Sequence, residues 1–233
     1  MKKLILVRHV LTEDNELAKL SGHIDSKVSE EGKKQIEKIT EFLKYEKIDR
    51  IYTTTSSRTK ETVKNLANIN SIEIQQSEDL QEISFGDFEG KDFKEIQKNY
   101  PDEFNKMIEQ GYKYTYPNGE SLIDCYERVS KGIEFILNET PEDNIILICS
   151  HAGTIRNILT YLISNTFEYH WNFKIDNASV SVVEVDNGFA VINKLNDTSF
   201  LKYNIRLIYI REKGTSLYSP RYCEMDETIK ATV

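Results

Sequence analysis

The apolar residues of this chain fall into short blocks whose spacing changes from element to element. "KKLILV", residues 2–7, is apolar throughout and flanked by charge, the pattern of a strand buried on both faces. In residues 29–47, Ile36, Ile39, Phe42 and Leu43 recur at helical spacing behind Ser29, a plausible N-cap followed by acids. "DRIYTT" then reads as a strand, "SSRTKETVKNLANI" as a helix capped by Ser56 or Ser57, and "IEIQQ" as a third short strand. Residues 80–120 are less regular: a loop, a helix near 92–98 and another near 101–111. After the turn "PNG" comes a long helix, "ESLIDCYERVSKGIEFILNE", then the most apolar strand, "NIILICSH", and the helix "AGTIRNILTYLI". "ASVSVVEVD" and "FAVINKL" alternate on either side of "NG", the signature of a hairpin.

Strand–helix alternation of this kind predicts a three-layer α/β/α domain around a mostly parallel sheet. In such sheets functional groups gather at the carboxyl ends of the strands. The first strand ends in Arg8–His9, "TTTSSR" ends in Arg58, and "ILICSH" ends in His151. A buried strand has no use for cations and imidazoles at its tip, so these four residues stand out.

Charge sharpens that observation. The chain has 233 residues, enough for one sizeable domain, and a net charge of −8. Such a balance argues against nucleic acid or an anionic membrane as a general partner. An anionic substrate would therefore need cations collected locally, as they are at these strand ends. Three cysteines, Cys125, Cys149 and Cys223, form no disulfide framework and suit a reducing cytoplasm. No apolar stretch approaches the roughly 18 residues of a membrane span, and the four-residue apolar run before Arg8 is too short for a signal peptide. A cytoplasmic location is expected.

Two histidines and two arginines without an acidic cage point to phosphate. Arginine forks hold phosphate oxygens in pairs, and a neutral imidazole can attack phosphorus. Arginines and a second imidazole can balance the equatorial charge that other enzymes meet with Mg²⁺. The leaving oxygen needs a proton, and Glu82 in "LQEISFGDFEG" is the candidate donor. Taken singly, each piece has an ordinary structural reading: a surface Arg–His pair, a capped helix start, a turn, a Gly-flanked aromatic loop. His23 and His170 have no companions and read as structural or surface residues. The weight lies in the combination.

The chain resembles the histidine phosphatase superfamily, in the branch that includes cofactor-dependent phosphoglycerate mutase and many small phosphatases. Arg8, His9, Thr12 and Asn15 match its opening motif; Gly22, Asp25, Ser29, Glu30, Gly32 and Gln35 match the segments that follow. "TTSSRTKET" supplies Arg58, "EISFGDFEG" supplies Glu82, and "PNGES" and "CSHAGTIR" supply the later motifs with His151. "DNASVSVVEV" and "LNDTSFL" are similar to the closing segments, so the resemblance covers about residues 3–201. It implies His9 as a nucleophile that becomes phosphohistidine, a phosphate pocket of Arg8, Arg58, His151 and Asn15, and Glu82 as proton donor and later base. No metal and no cofactor are implied. Val10 replaces the family's glycine after the nucleophile, which predicts an altered local geometry. Glu82 is followed by no arginine through residue 96, which favours a phosphatase over a mutase; Lys91, Lys94 and Lys113 offer a weaker anion handle. The expected substrate is a small-molecule phosphate ester, as for the α-ribazole and broad-specificity phosphatases that the compact "EISFGDFEG" form resembles. A mutase, or a binding protein on the same fold, is the alternative. Residues 202–233 lie beyond the resemblance; "NIRLIYIRE" is expected to add an edge strand or to pack on a second copy in a homodimer, and the end to be mobile.

Overall fold

The computed structural model describes residues 1–142 and 144–202. The expectation for the C-terminal extension therefore falls, from residue 203 onward, outside the described residues.

Six strands form one sheet: β1 (Lys2–Arg8), β2 (Arg50–Thr53), β3 (Ile74–Gln76), β4 (Ile145–Ser150), β5 (Val180–Asp186) and β6 (Phe189–Asp197). Their order is β3-β2-β4-β1-β5-β6. The first four run parallel, and the hairpin β5–β6 closes the sheet antiparallel to β1. The central strands are apolar on both faces because helices cover both. Leu4, Leu6, Ile146 and Ile148 point into a core shared with α6 (Leu122–Glu139) and α7 (Ala152–Ser164). Ile5, Val7, Leu147 and Cys149 point the other way, into the core under α2 (Glu30–Leu43) and α3 (Ser57–Asn70). The smaller helices α1 (Glu13–Glu16), α4 (Phe93–Asn99) and α5 (Pro101–Gln110) complete the fold. Short caps start them: Ser29 Oγ accepts from Gly32 N on α2, and Ser121 and Asp124 form a reciprocal box on α6.

The register aligns the strand ends. Arg8 lies opposite Ser150, and Thr53 opposite Cys149. The next residues along each chain, His9, His151 and Thr54, therefore emerge at one level. The backbone of His9 is held from both sides, its N–H donating to Ser150 O (2.9 Å) and its carbonyl accepting from Ala178 N (3.2 Å).

Candidate active site

His9 is buried, and its ring packs edge-on against that of His151, with centroids 5.2 Å apart. Its Nδ1 lies 2.8 Å from the carbonyl oxygen of Val10. A carbonyl only accepts, so Nδ1 carries the proton and Nε2 keeps its lone pair. Burial, then the charges of Arg58 and Arg8, hold the His9 pKa well below its ordinary 6.5, so the ring is neutral at physiological pH. His151 is held low by burial and by the same arginines. Its Nε2 meets Thr54 Oγ1 (3.2 Å), which also contacts Thr59 Oγ1 (3.0 Å) and accepts from Ser56 N (3.2 Å).

Val10 sits comfortably beside His9. It is fully buried among Ile5, Val7 and Val28, and it is absent from the positive-φ positions of the chain. Its N–H donates to Thr62 Oγ1 (3.1 Å). The interaction that orients His9 uses only the Val10 carbonyl, so the expected distortion does not arise; the side chain supplies core packing instead.

Three guanidiniums surround the imidazoles. Arg58 is 1% exposed; its two terminal nitrogens donate to Ile24 O (2.7 Å) and Gly22 O (2.6 Å). Arg8 donates to Ile175 O (2.8 Å), and burial lowers its pKa to about 10 against the opposing pull of Glu82. Arg156, in the first turns of α7, donates through Nε to Phe173 O (2.8 Å) and lies 5.4 Å from the ring centre of exposed Trp171. Glu82 acts electrostatically on all three. Among the described residues none of the three forms an ion pair. Arg8 Nε, Arg58 Nε and His151 Nδ1 are buried without a hydrogen-bond partner, three of four such side-chain atoms described. Buried polar groups are normally satisfied, and buried charges paired. This arrangement is what an oxyanion with several acceptor oxygens would complete.

Glu82 faces the same space from the loop after β3. Its Oε2 accepts from Gly153 N (3.1 Å) and its Oε1 from Ile83 N (3.1 Å). A Cβ on Gly153 would stand 2.4 Å from Oε1, so only glycine lets α7 start this close to the carboxylate. Asn15 Oδ1 accepts from Thr12 N (3.3 Å) and from Asn177 Nδ2 (2.9 Å), and Asn177 Nδ2 also reaches His9 O (3.3 Å). With its oxygen so engaged, the Asn15 amide nitrogen is the group left to donate.

All six residues singled out from the sequence thus meet at one sheet edge. The other carboxylates of the neighbourhood are committed elsewhere: Glu89 accepts from His23 N, Phe85 N and Ile24 N, and Asp25 caps α3 through Ser57 N. Lys91, one of the proposed anion handles, binds Asp87 O and lies over Tyr100. His170 is structural as expected, its Nδ1–H donating to Asn157 Oδ1 (2.7 Å) and its ring stacked on Phe167. His23 is not isolated, for its Nε2 contacts Glu82 O (2.9 Å). Thr54, Arg156 and Asn177 went unassigned in the sequence. Thr54, directly after β2, and Arg156, about one and a half helical turns beyond His151, lie within quoted motifs, which is the signal that would have found them; Asn177, in "DNAS", stands near no chosen residue and carries no such signal. Among the described residues no cluster of three or more His, Cys, Asp or Glu is placed to hold a metal ion, and no helix is long and apolar enough to cross a membrane.

Comparison with known proteins agrees with this geometry. Phosphoserine phosphatase 1 of Hydrogenobacter thermophilus is 32% identical over 86% of this chain and 95% of its own length. Among solved structures, the α-ribazole phosphatase of Shigella flexneri superposes with a TM-score of 0.80 at 24% identity, covering 84% of this chain and 96% of that one. YhfR of Bacillus stearothermophilus gives 0.78 at 28% identity, covering 86% of this chain and all of that one. The histidine phosphatase superfamily (branch 1) description matches residues 4–198. With this match spanning most of the sequence and the paired imidazoles among unpaired arginines at the strand ends, the chain belongs to the histidine phosphatase superfamily, branch 1, and is a phosphatase.

Proposed function

We propose that the chain hydrolyses a small phosphomonoester through a phosphohistidine on His9, with no metal ion taking part. The observation that carries this reading is the His9 Nδ1–H···O=C contact to Val10, which leaves Nε2 unprotonated in a ring that packs on His151 and feels the charges of Arg58 and Arg8. Nε2 attacks phosphorus while the ester oxygen leaves. Arg8, Arg58 and the Asn15 amide balance charge on the equatorial oxygens, with His151 beside them. Glu82 gives its proton to the departing alkoxide, then takes one from the water that displaces His9. The alcohol leaves in the first step and inorganic phosphate in the second.

O-phosphoserine is the substrate class favoured for this site. The relative at 32% identity carries phosphoserine in its name, and Arg156, half-buried and without an ion pair beside Trp171, suits a leaving group that bears a carboxylate. The test is turnover of O-phosphoserine, α-ribazole phosphate and p-nitrophenyl phosphate in EDTA. Acid-quenched protein should carry a labile phosphoryl group by intact mass or ³¹P NMR. Loss of activity on chelation, restored by Mg²⁺ or Zn²⁺, would refute the metal-free mechanism.

A further inference from the structure

The loop that delivers Glu82 has little regular structure, yet every carbonyl from residue 78 to residue 82 is engaged. A single side chain from α6 takes most of them. Arg128 NH1 donates to Asp79 O (2.9 Å), Gln81 O (3.2 Å) and Glu78 O (3.4 Å), and its NH2 reaches Glu82 O (3.3 Å). Ser150 Oγ takes Leu80 O (2.8 Å), and Thr154 Oγ1 shares Gln81 O (2.8 Å). The guanidinium is itself clamped by Glu120, Nε to Oε1 (2.8 Å) and NH2 to Oε2 (2.7 Å). Glu120 Oε2 also accepts from Ser84 N (3.0 Å), and Glu120 N donates to Ser84 O (2.9 Å), so the pair grips the loop on both sides of Glu82. A guanidinium offers five donors in a rigid fork, and here the fork does for an irregular loop what a neighbouring strand does for a ladder.

We propose that the Arg128–Glu120 pair is a positioning device for the proton donor: it fixes the backbone from which Glu82 reaches the leaving oxygen, and touches neither phosphate nor substrate. The inference rests on Glu82 serving as that donor. A general acid misplaced by about an ångström loses much of its value.

The experiment measures the phosphorylation step in single-turnover kinetics for Arg128→Met, Arg128→Lys and Glu120→Gln, each with and without Glu82→Gln, using O-phosphoserine and p-nitrophenyl phosphate. Thermal melts confirm that each variant is folded, and Glu120→Gln replaces Arg128→Met if the latter is not. Arg128→Met should slow the alkyl ester by roughly 30–100-fold, a large part of the 10²–10⁴ range of general acid catalysis, and the aryl ester by less than about 3-fold. In the Glu82→Gln background its further effect should fall below about 3-fold on either substrate, because there is no acid left to misplace. Arg128→Lys, which keeps the charge but not the fork, should recover part of the loss. Equal slowing of both substrates, or losses that multiply with Glu82→Gln, would overturn the positioning role. A Glu82→Gln variant that slows both esters alike would instead remove the proton-donor reading on which it stands.

Discussion

Arg58 on α3 and Arg128 on α6 are two arginines largely withdrawn from solvent on opposite faces of one sheet, and they differ in what surrounds them. Arg128 meets a carboxylate in two-point geometry and a set of carbonyls. Among the described residues Arg58 meets two carbonyls and no carboxylate within ion-pair range, and keeps a buried nitrogen without a partner. A charge whose needs are met inside the fold contributes to the fold. One whose needs are left open suits an anion that diffuses in, as the proposed function requires, and such an anion would offset the cost of burying it.

The sharpest way to test that contrast starts with His9, the proposed nucleophile beside the open cations. His9→Ala should lower turnover by at least about 10⁴-fold, the scale of losing a nucleophile, and abolish the phosphoryl adduct seen by mass, with the melting curve little changed. Near-normal activity in this variant would end the mechanism. Next comes Glu82→Gln, expected to slow O-phosphoserine by roughly 10²–10⁴-fold in the phosphorylation step and p-nitrophenyl phosphate, whose leaving group needs no proton, far less.

The two arginines themselves should separate on stability. Arg128→Met breaks a partly buried pair and leaves Glu120 and several carbonyls unmet, so urea denaturation should show a loss of about 1–3 kcal/mol. Arg58→Met removes a buried charge that carboxylates such as Glu82 offset only from beyond ion-pair range, and should shift stability by less than about 1 kcal/mol while cutting turnover by about 10²–10³-fold. Equal destabilisation would erase the distinction. Vanadate at about 100 times its Kd should stabilise the wild type by about 2.7 kcal/mol, and lose that effect in Arg58→Met. The smallest expected effect is in pH. Because burial and Arg58 hold His9 neutral well below pH 6.5, its nucleophilic form persists as the pH falls. Between pH 7 and 5.5 the single-turnover rate should change by less than about 2-fold, after dividing out the substrate phosphate's own ionisation near pH 6. A tenfold fall per unit starting at 6.5 would show an imidazole with an ordinary pKa.

What the sequence made legible follows the same line between local and distant causes. The strands and long helices declare themselves through runs and periods of apolar residues, and β1, β4 and α6 appear where "KKLILV", "NIILICSH" and "ESLIDCYERV" place them. Arg8, His9, Arg58 and His151 stood out because a charged tip after a buried strand is conspicuous. Arg128 did not, since a cation on a helix usually faces water, and only the loop folded against it reveals otherwise. Nor could the amide of Asn177, in "DNAS", be linked to Asn15 before β5 was seen to lie against β1. The effect of Val10 needed the backbone: its position has no left-handed turn to disfavour a branched residue. Four-residue α1 and the single-turn segments at 78–80 and 86–88 lack enough residues to show a period.

The place of β1 in the sheet bears on how the protein is made. Its two neighbours, β4 and β5, are both synthesised long after it. At ribosomal speeds of about 5–20 residues per second, Arg8 and His9 spend roughly 10–30 s in the nascent chain before Ser150 and Ala178 exist to hold the histidine's backbone. Throughout that interval the imidazole is hydrated and has its solution basicity. The buried, low-basicity state of His9 is therefore a product of the last strands to arrive, so that under the proposed mechanism competence would report completion of the sheet, and a chain stalled before β5 would carry His9 without the surroundings that set its chemistry.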